Sequence, residues 1–287
     1  MTRTTDTWLA ATAPAIWGST YIVTTLMLPD GYPLTIAMLR ALPAGLILLV
    51  LVRQLPPVEW LGKVMILGAL NFTIFWALLF VAAYRLPGGV AATLGAVQPL
   101  VVLALSSLLL GVVSGWRGVV AALAGLVGVG LLVLGPKASL DLIGVGAALG
   151  GALSMAAGVV LTRKWQPPVP PLVFTAWQLT AGGLLLLPLS LMIEPGFPFA
   201  DLTRQNLLGL IWLGLFGAAL TYFFWFRGIA RLGPTSVTML GFLSPVTAVF
   251  LGWAILGQSL SLIQSIGTII ILASIRLGTK SQRGIKP

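Results

Sequence analysis

Apolar residues run along this chain in ten blocks of roughly twenty, at about 8 to 28, 33 to 53, 61 to 83, 89 to 110, 115 to 135, 141 to 163, 171 to 191, 206 to 228, 235 to 256 and 260 to 278. A helix needs about 20 apolar residues to cross the hydrocarbon core of a bilayer, so each block predicts one membrane span. Nearly every junction carries proline, glycine or a charge: Pro29-Asp30-Gly31 with Pro33, Pro56-Pro57, Pro87-Gly88-Gly89, Gly135-Pro136-Lys137, Pro167-Pro168 with Pro170-Pro171, Pro195-Gly196 with Pro198, and Gly233-Pro234. These are turn signals, because glycine reaches positive φ and proline breaks the helix ladder. Barrel strands would be about half as long and would alternate in polarity, which these blocks do not.

One stretch occurs twice. Arg85 to Gly111, RLPGGVAATLGAVQPLVVLALSSLLLG, aligns without a gap on Arg231 to Gly257, RLGPTSVTMLGFLSPVTAVFLGWAILG, with arginine, glycine and proline in register. Pro33-Leu34 and Gly45-Leu46 of span two recur as Pro171-Leu172 and Gly183-Leu184 of span seven at one fixed offset. Spans one to five (residues 1–136) are therefore echoed by spans six to ten (137–287). Five is odd, so the second copy enters the membrane from the opposite side, and transporters with such inverted repeats bind substrate near the midplane between the halves.

Composition removes most other classes. The chain is 58% hydrophobic and 8% charged with a mean hydropathy of +1.06, whereas a soluble protein is roughly one quarter charged. Its net charge of +10 comes from single basic residues between apolar runs, not from a face suited to nucleic acid. With the N-terminus inside, one side collects Arg3, Arg53, Lys63, Arg117, Arg163, Lys164, Arg227, Arg231, Arg276, Lys280, Arg283 and Lys286, and the other only Arg85, Lys137 and Arg204. That imbalance predicts both termini in the cytoplasm, and Trp8, Trp60, Trp116 and Trp165 fall at predicted cytoplasmic span ends, where indoles favour the headgroup layer. MTRTTDTW leads into the first span with no small-residue cleavage site and predicts a retained helix. Cysteine and histidine are absent, which removes disulfides, thiol chemistry, imidazole metal sites and histidine bases. No cofactor, metal or catalytic residue is expected.

Arg40 is the charged side chain that lies well inside a predicted span, about 10 Å along the second helix. Two readings compete for it: a partner for a substrate carboxylate, or an arginine that snorkels outward or caps carbonyls of neighbouring helices. Asp30, Glu59, Asp141, Glu194 and Asp201 fall at loops or span ends. Without a deep carboxylate for a proton relay, facilitated diffusion is expected. Neutral groups suffice for a substrate site. Trp17 and Tyr21 share one face of span one, with Thr24 and Thr25 one turn on, and Asn71 and Phe75 repeat that spacing in span three. Aromatic faces hold an ammonium or an apolar ring, and an amide offers donors and an acceptor; packing is the competing reading for each. Gln98-Pro99 and Ser244-Pro245 occupy matching depths, where proline frees the carbonyls of Gly95 and Gly241 and predicts either a hinge or a site wall. Gly146, Gly150, Ser154 and Gly158 recur every four residues in span six and predict close helix packing. Met155, Trp177, Gln178, Tyr222 and Trp225 are placed by periodicity in either the cavity or the core. Arg227 and Arg231 read as orientation determinants.

With ten spans, the five-plus-five repeat, WGSTY in span one, LRALPAGLILL in span two, and LGAVQP echoed by LGFLSP, the chain resembles the EamA branch of the drug/metabolite transporter superfamily. Within that branch it is most similar to the YddG-type exporters of aromatic and other neutral amino acids. The resemblance implies an all-α membrane protein, a basket of helices around a central cavity lined mainly by spans one, three, four, six, eight and nine. An intramembrane enzyme lacks its histidine, cysteine or paired aspartates here, a sugar-phosphate exchanger would want several basic residues in the cavity, and a cationic-drug antiporter the missing carboxylate. The expected activity is export of neutral and aromatic amino acids across a bacterial inner membrane by a monomer or weak dimer. Proton-coupled export of lipophilic drugs or other metabolites is the alternative.

Overall fold

A computed structural model describes residues 3–29, 31–85, 94–112, 115–133, 141–194, 196–257 and 261–281. Among these residues there is no strand, and every predicted span is a helix or a pair of helices. The first span comprises Arg3–Trp17 and Thr20–Met27, the second Pro33–Val52, and the third Val58–Gly68 and Ile74–Arg85 joined by a π-helical segment, Ala69–Thr73. Gln98–Leu110, Trp116–Val133, Leu142–Lys164 and Pro171–Ile193 form the fourth to seventh. The eighth is Arg204–Ile211, a π segment Trp212–Leu220, and Thr221–Leu232; the ninth is Pro234–Leu240 with Leu243–Leu256; the tenth is Leu262–Ser281. The expected turn at Pro87-Gly88-Gly89 and the boundary between residues 136 and 137 lie outside the described residues.

The predicted punctuation explains several ends. Pro33 and Pro171 each sit in the first turn of their helix, where a missing N–H costs nothing. Gly111 and Gly257, matched in the repeat, both cap their spans in the left-handed region at φ 67° and 65°. Between Gly and Pro of both repeats the helix does break, at turns over 96–97 and 241–242. One detail differs from expectation. The Gly241 carbonyl is not left free by Pro245, because the turn folds back and Ser244 N–H donates to it at 3.0 Å. The first span also breaks, at Gly18-Ser19, where a side chain on Gly18 would collide with the Ser244 carbonyl oxygen at 2.5 Å.

Packing partners exchange between the halves. Span two lies along span seven, and span five along span ten. Span three packs on six as eight packs on one, and span four on six as nine on one. The closest approaches are reciprocal. A Cβ built on Gly45 would lie 2.6 Å from the Thr180 nitrogen, and one on Gly183 2.6 Å from Leu42 Cα. The offset that pairs Gly45 with Gly183 pairs Leu42 with Thr180. Likewise Gly128 meets Gly267 and Ile271, while Gly267 meets Gly128 and Leu132. These small residues let backbones touch where lipid gives no hydrophobic drive. The stripe in span six behaves as predicted at three positions: Gly150 faces Leu78, Ser154 Oγ donates to the Leu70 carbonyl at 2.9 Å, and Gly158 faces Asn71. Nothing lies within 4 Å of a Cβ on Gly146.

Span one begins at Arg3, about five residues earlier than its apolar run. That extension carries Asp6 in the first turn of the helix. Asp6 is 5% exposed and accepts from Arg227 Nε at 3.0 Å, Arg227 Nη2 at 2.8 Å and Arg231 Nη1 at 3.4 Å. Arg227 and Arg231 thus tie span eight to span one in addition to any part in orientation. At the equivalent end of spans three and six, Arg85 and Asp141 approach only to 3.6 Å and are 45% and 41% exposed.

Candidate functional site

The predicted site residues do not form one group. Around Trp17 they assemble with Tyr222 and Trp225: ring centroids stand 4.9 Å from Trp17 to each. Phe72 and Trp76 of span three extend the cluster, with Phe72 4.6 Å and Trp76 6.3 Å from Tyr222. Trp17 is half-buried, whereas Tyr222 and Trp225 are almost wholly enclosed. The Trp225 indole nitrogen has no hydrogen-bond partner. Span one contributes to this cluster because Trp17 ends its first helix at the Gly18-Ser19 break.

The cluster is fixed to span eight through one carbonyl. Trp17 Nε1 donates to the Gly217 carbonyl oxygen at 3.2 Å and to Thr221 Oγ1 at 3.0 Å. Arg40 Nη2 donates to the same carbonyl at 2.5 Å. Gly217 lies inside the π segment Trp212–Leu220, a ladder type that is rare within helices and concentrates at functional sites. Glycine leaves room there for the guanidinium, since a Cβ would stand 3.3 Å from Arg40 Nη2 and the side chain would have to give way.

Arg40 does not snorkel. It is 9% exposed, its guanidinium carbon sits 4.9 Å from the centre of the Trp76 ring, and its Nε has no hydrogen-bond partner. Among the described residues no carboxylate forms an ion pair with it. The N-terminus of its helix is held from span seven, where Glu194 accepts from Leu34 N at 2.8 Å, Thr35 N at 2.7 Å and Thr35 Oγ1 at 2.8 Å. Those bonds satisfy the orphan donors of a helix start with a full negative charge.

Asn71 sits elsewhere, in the matching π segment of span three. It is fully buried, and its Nδ2 donates to Gln178 Oε1 at 2.8 Å and Thr162 Oγ1 at 3.2 Å. Gly158 makes room for it, because a Cβ there would be 2.2 Å from Asn71 Oδ1. This is a buried amide cluster between spans three, six and seven, in which Asn71 Oδ1 and Gln178 Nε2 have no hydrogen-bond partner. Met155 is 2% exposed and packs in the main apolar core, on which half-buried Phe75 leans. Gln98 and Ser244 are half-buried at the breaks of spans four and nine, and Gln98 Nε2 lacks a partner. Beside Gln98, a Cβ on Gly95 would meet nothing within 4 Å, so that turn borders open space. Pro99 is buried and Pro245 half-buried, each just beyond its break. The Tyr21 and Thr25 side chains lie outside the described residues. Gly217, Trp76 and Phe72 were not singled out from sequence, since a glycine and two aromatics in an apolar run carry no periodic mark. Among the described residues no cluster of histidine, cysteine, aspartate or glutamate suits a metal.

Comparison with known proteins agrees with this architecture. The model of the EamA-like transporter family matches residues 6–134 and 142–279. The chain is 47% identical over 266 residues to Protein PecM of Dickeya dadantii (strain 3937), covering 92% of this chain and 88% of that one. It is 29% identical over 272 residues to the uncharacterized inner membrane transporter YedA of Escherichia coli (strain K12), covering 92% and 87%. A crystal structure at 21% identity superposes with a TM-score of 0.83 over 98% of this chain and 100% of the other, which shows a shared fold.

Proposed function

The chain belongs to the EamA-like transporter family, multi-pass membrane transporters and not enzymes, and from that premise we propose that it exports neutral and aromatic amino acids and related small metabolites. The observation that carries this reading is the aromatic cluster of Trp17, Trp76, Tyr222 and Trp225, brought together from spans one, three and eight. Such faces stack on an apolar side chain. The half-buried Ser244, whose carbonyl oxygen faces Gly18 next to Trp17, edges the site from span nine.

The mechanism proposed is alternating access between two five-helix units, residues 1–136 and 137–287, related by a two-fold axis in the membrane plane. The reciprocal contacts at Gly45/Gly183 and Gly128/Gly267 support it, because residue i touching j while the equivalents of j and i also touch is what a two-fold axis produces. The breaks at 96–97 and 241–242 are the hinges, with Gly95, Pro99, Gly241 and Pro245 around them. Both termini face the cytoplasm and the membrane is a bacterial inner membrane. Transport is facilitated diffusion: Asp6, the buried acid, is engaged by two arginines at a span end and stands apart from the aromatic cluster.

Counterflow in proteoliposomes against a panel of amino acids tests the reading. Aromatic and bulky neutral amino acids are expected to exchange, and Trp17→Ala to reduce that exchange at least about tenfold. Exchange of no amino acid sinks the substrate proposal. Uphill accumulation driven by a proton gradient alone sinks facilitated diffusion.

A further inference from the structure

We infer that the site reads a carboxylate through Arg40 and does not need an ammonium, so that its preferred ligand class is the aromatic monocarboxylate. The inference rests on the aromatic cluster proposed above as the substrate site.

Arg40 carries a full charge well inside its span, Pro33–Val52, where an arginine is costly to bury. It has one carbonyl, Gly217 at 2.5 Å, and one ring face, Trp76 at 4.9 Å. A guanidinium has five N–H donors; here Nε is enclosed and unpartnered. Buried charges are ordinarily paired, and no ion pair reaches this one among the described residues. A planar carboxylate is the complement of the remaining fork.

The ammonium has no equivalent provision. The Trp76 face is taken by Arg40 itself, and among the described residues the carboxylates that form ion pairs, Asp6 and Asp141, pair with other arginines. A ligand cation would add a second positive charge beside the first, in a low-dielectric setting where like charges repel strongly. A ring with a carboxylate places its apolar part on Trp17 and Tyr222 and its charge on Arg40. The corresponding position of the other half is Gln178, an uncharged amide already bonded to Asn71 at 2.8 Å, so the charge belongs to one half only.

The test uses purified protein in lipid nanodiscs, titrated with L-phenylalanine, 3-phenylpropanoate and 2-phenylethylamine while tryptophan fluorescence is followed, and the same compounds as inhibitors of counterflow. Phenylpropanoate is expected to bind at least as tightly as phenylalanine, and the amine at least about tenfold more weakly. Arg40→Gln is expected to weaken the acid about 100-fold and to strengthen the amine, because the like charge beside it is gone. Arg40→Lys, which keeps the charge and loses the fork, is expected to fall between, and its retained folding guards against a collapsed Gln variant. The inference is overturned if the amine binds as well as the acid, if Arg40→Gln leaves the acid unchanged, or if no compound quenches fluorescence. Acid binding without any amino-acid exchange refutes the export reading and leaves this one standing.

Discussion

Two junctions of this molecule occupy equivalent places and have opposite chemistry. Counting from the Gly45/Gly183 match, Arg40 of span two corresponds to Gln178 of span seven; counting from Arg85/Arg231, Asn71 of span three corresponds to Gly217 of span eight. In both junctions a polar side chain of span two or seven meets a π segment of span eight or three. At one, Gln178, Asn71 and Thr162 are bonded to one another and fully enclosed. At the other, Arg40 reaches only a backbone carbonyl and a ring. The same backbone device thus yields an uncharged amide pair bonded side chain to side chain in one half and a cation held by a carbonyl and a ring in the other. Each leaves buried polar atoms without a partner, Asn71 Oδ1 and Gln178 Nε2 in the first and Arg40 Nε in the second. What separates the two is charge: a buried cation without an ion pair costs more to enclose than an unpaired amide atom, so the ligand's opportunity lies at Arg40.

Exchanging the residues between halves breaks this comparison most severely. Gly217→Asn puts the side chain of the amide junction where Arg40 now stands, with a Cβ already 3.3 Å from Nη2. Carboxylate binding is expected to fall about 100-fold, read by fluorescence titration; unchanged affinity would separate Gly217 from the site. Asp6→Asn comes next. It leaves half-enclosed Arg227 without the carboxylate it contacts at 3.0 and 2.8 Å, and a loss of about 3 kcal/mol is expected, seen as a lower midpoint in thermal unfolding. Asp141→Asn, at the looser 3.6 Å pair, is the matched control and should cost less than about 1 kcal/mol. Equal losses would show that the two ends are alike after all. Asn71→Leu follows, with about 2 kcal/mol lost because enclosed Gln178 Oε1 loses its shorter donor and keeps only Thr162 Oγ1 at 3.2 Å. Substrate selectivity should not change; a changed ratio of transported compounds at wild-type stability would return Asn71 to the binding site.

The span pattern was legible because the bilayer imposes one length and because proline and glycine mark the ends. Gly111 and Gly257 cap their spans, and Gly95-Pro99 and Gly241-Pro245 bracket real breaks. The contents of the site were less legible. A π segment inserts within an apolar run and leaves no signal in hydropathy, so the widening at Ala69–Thr73 and Trp212–Leu220 was invisible, and with it the carbonyl of Gly217. Asn71 carried the right signal, a buried amide needing partners, but its partner Gln178 is 107 residues away and amide and substrate satisfy the same need. Asp6 was missed because an acid before an apolar run reads as solvated lead; only the helix of span eight, returning beside it, encloses it.

The smallest expected effect comes from Trp17, whose counterpart in the other half is Met155. Trp17→Met copies that residue and keeps an apolar side chain of useful bulk, so the core is preserved better than by alanine. It removes the donor to Gly217 and Thr221 at 3.2 and 3.0 Å, yet the Gly217 carbonyl retains Arg40 as a donor and Thr221 Oγ1 still donates to the Ala218 carbonyl at 3.3 Å. No acceptor is stranded, and about 1 kcal/mol of stability should be lost. The ring face disappears as well, so aromatic carboxylates should weaken several-fold while a small aliphatic carboxylate, held by Arg40 alone, should not. Equal weakening of both would mean that Trp17 acts by positioning Arg40 through the shared carbonyl and not by stacking on the ligand.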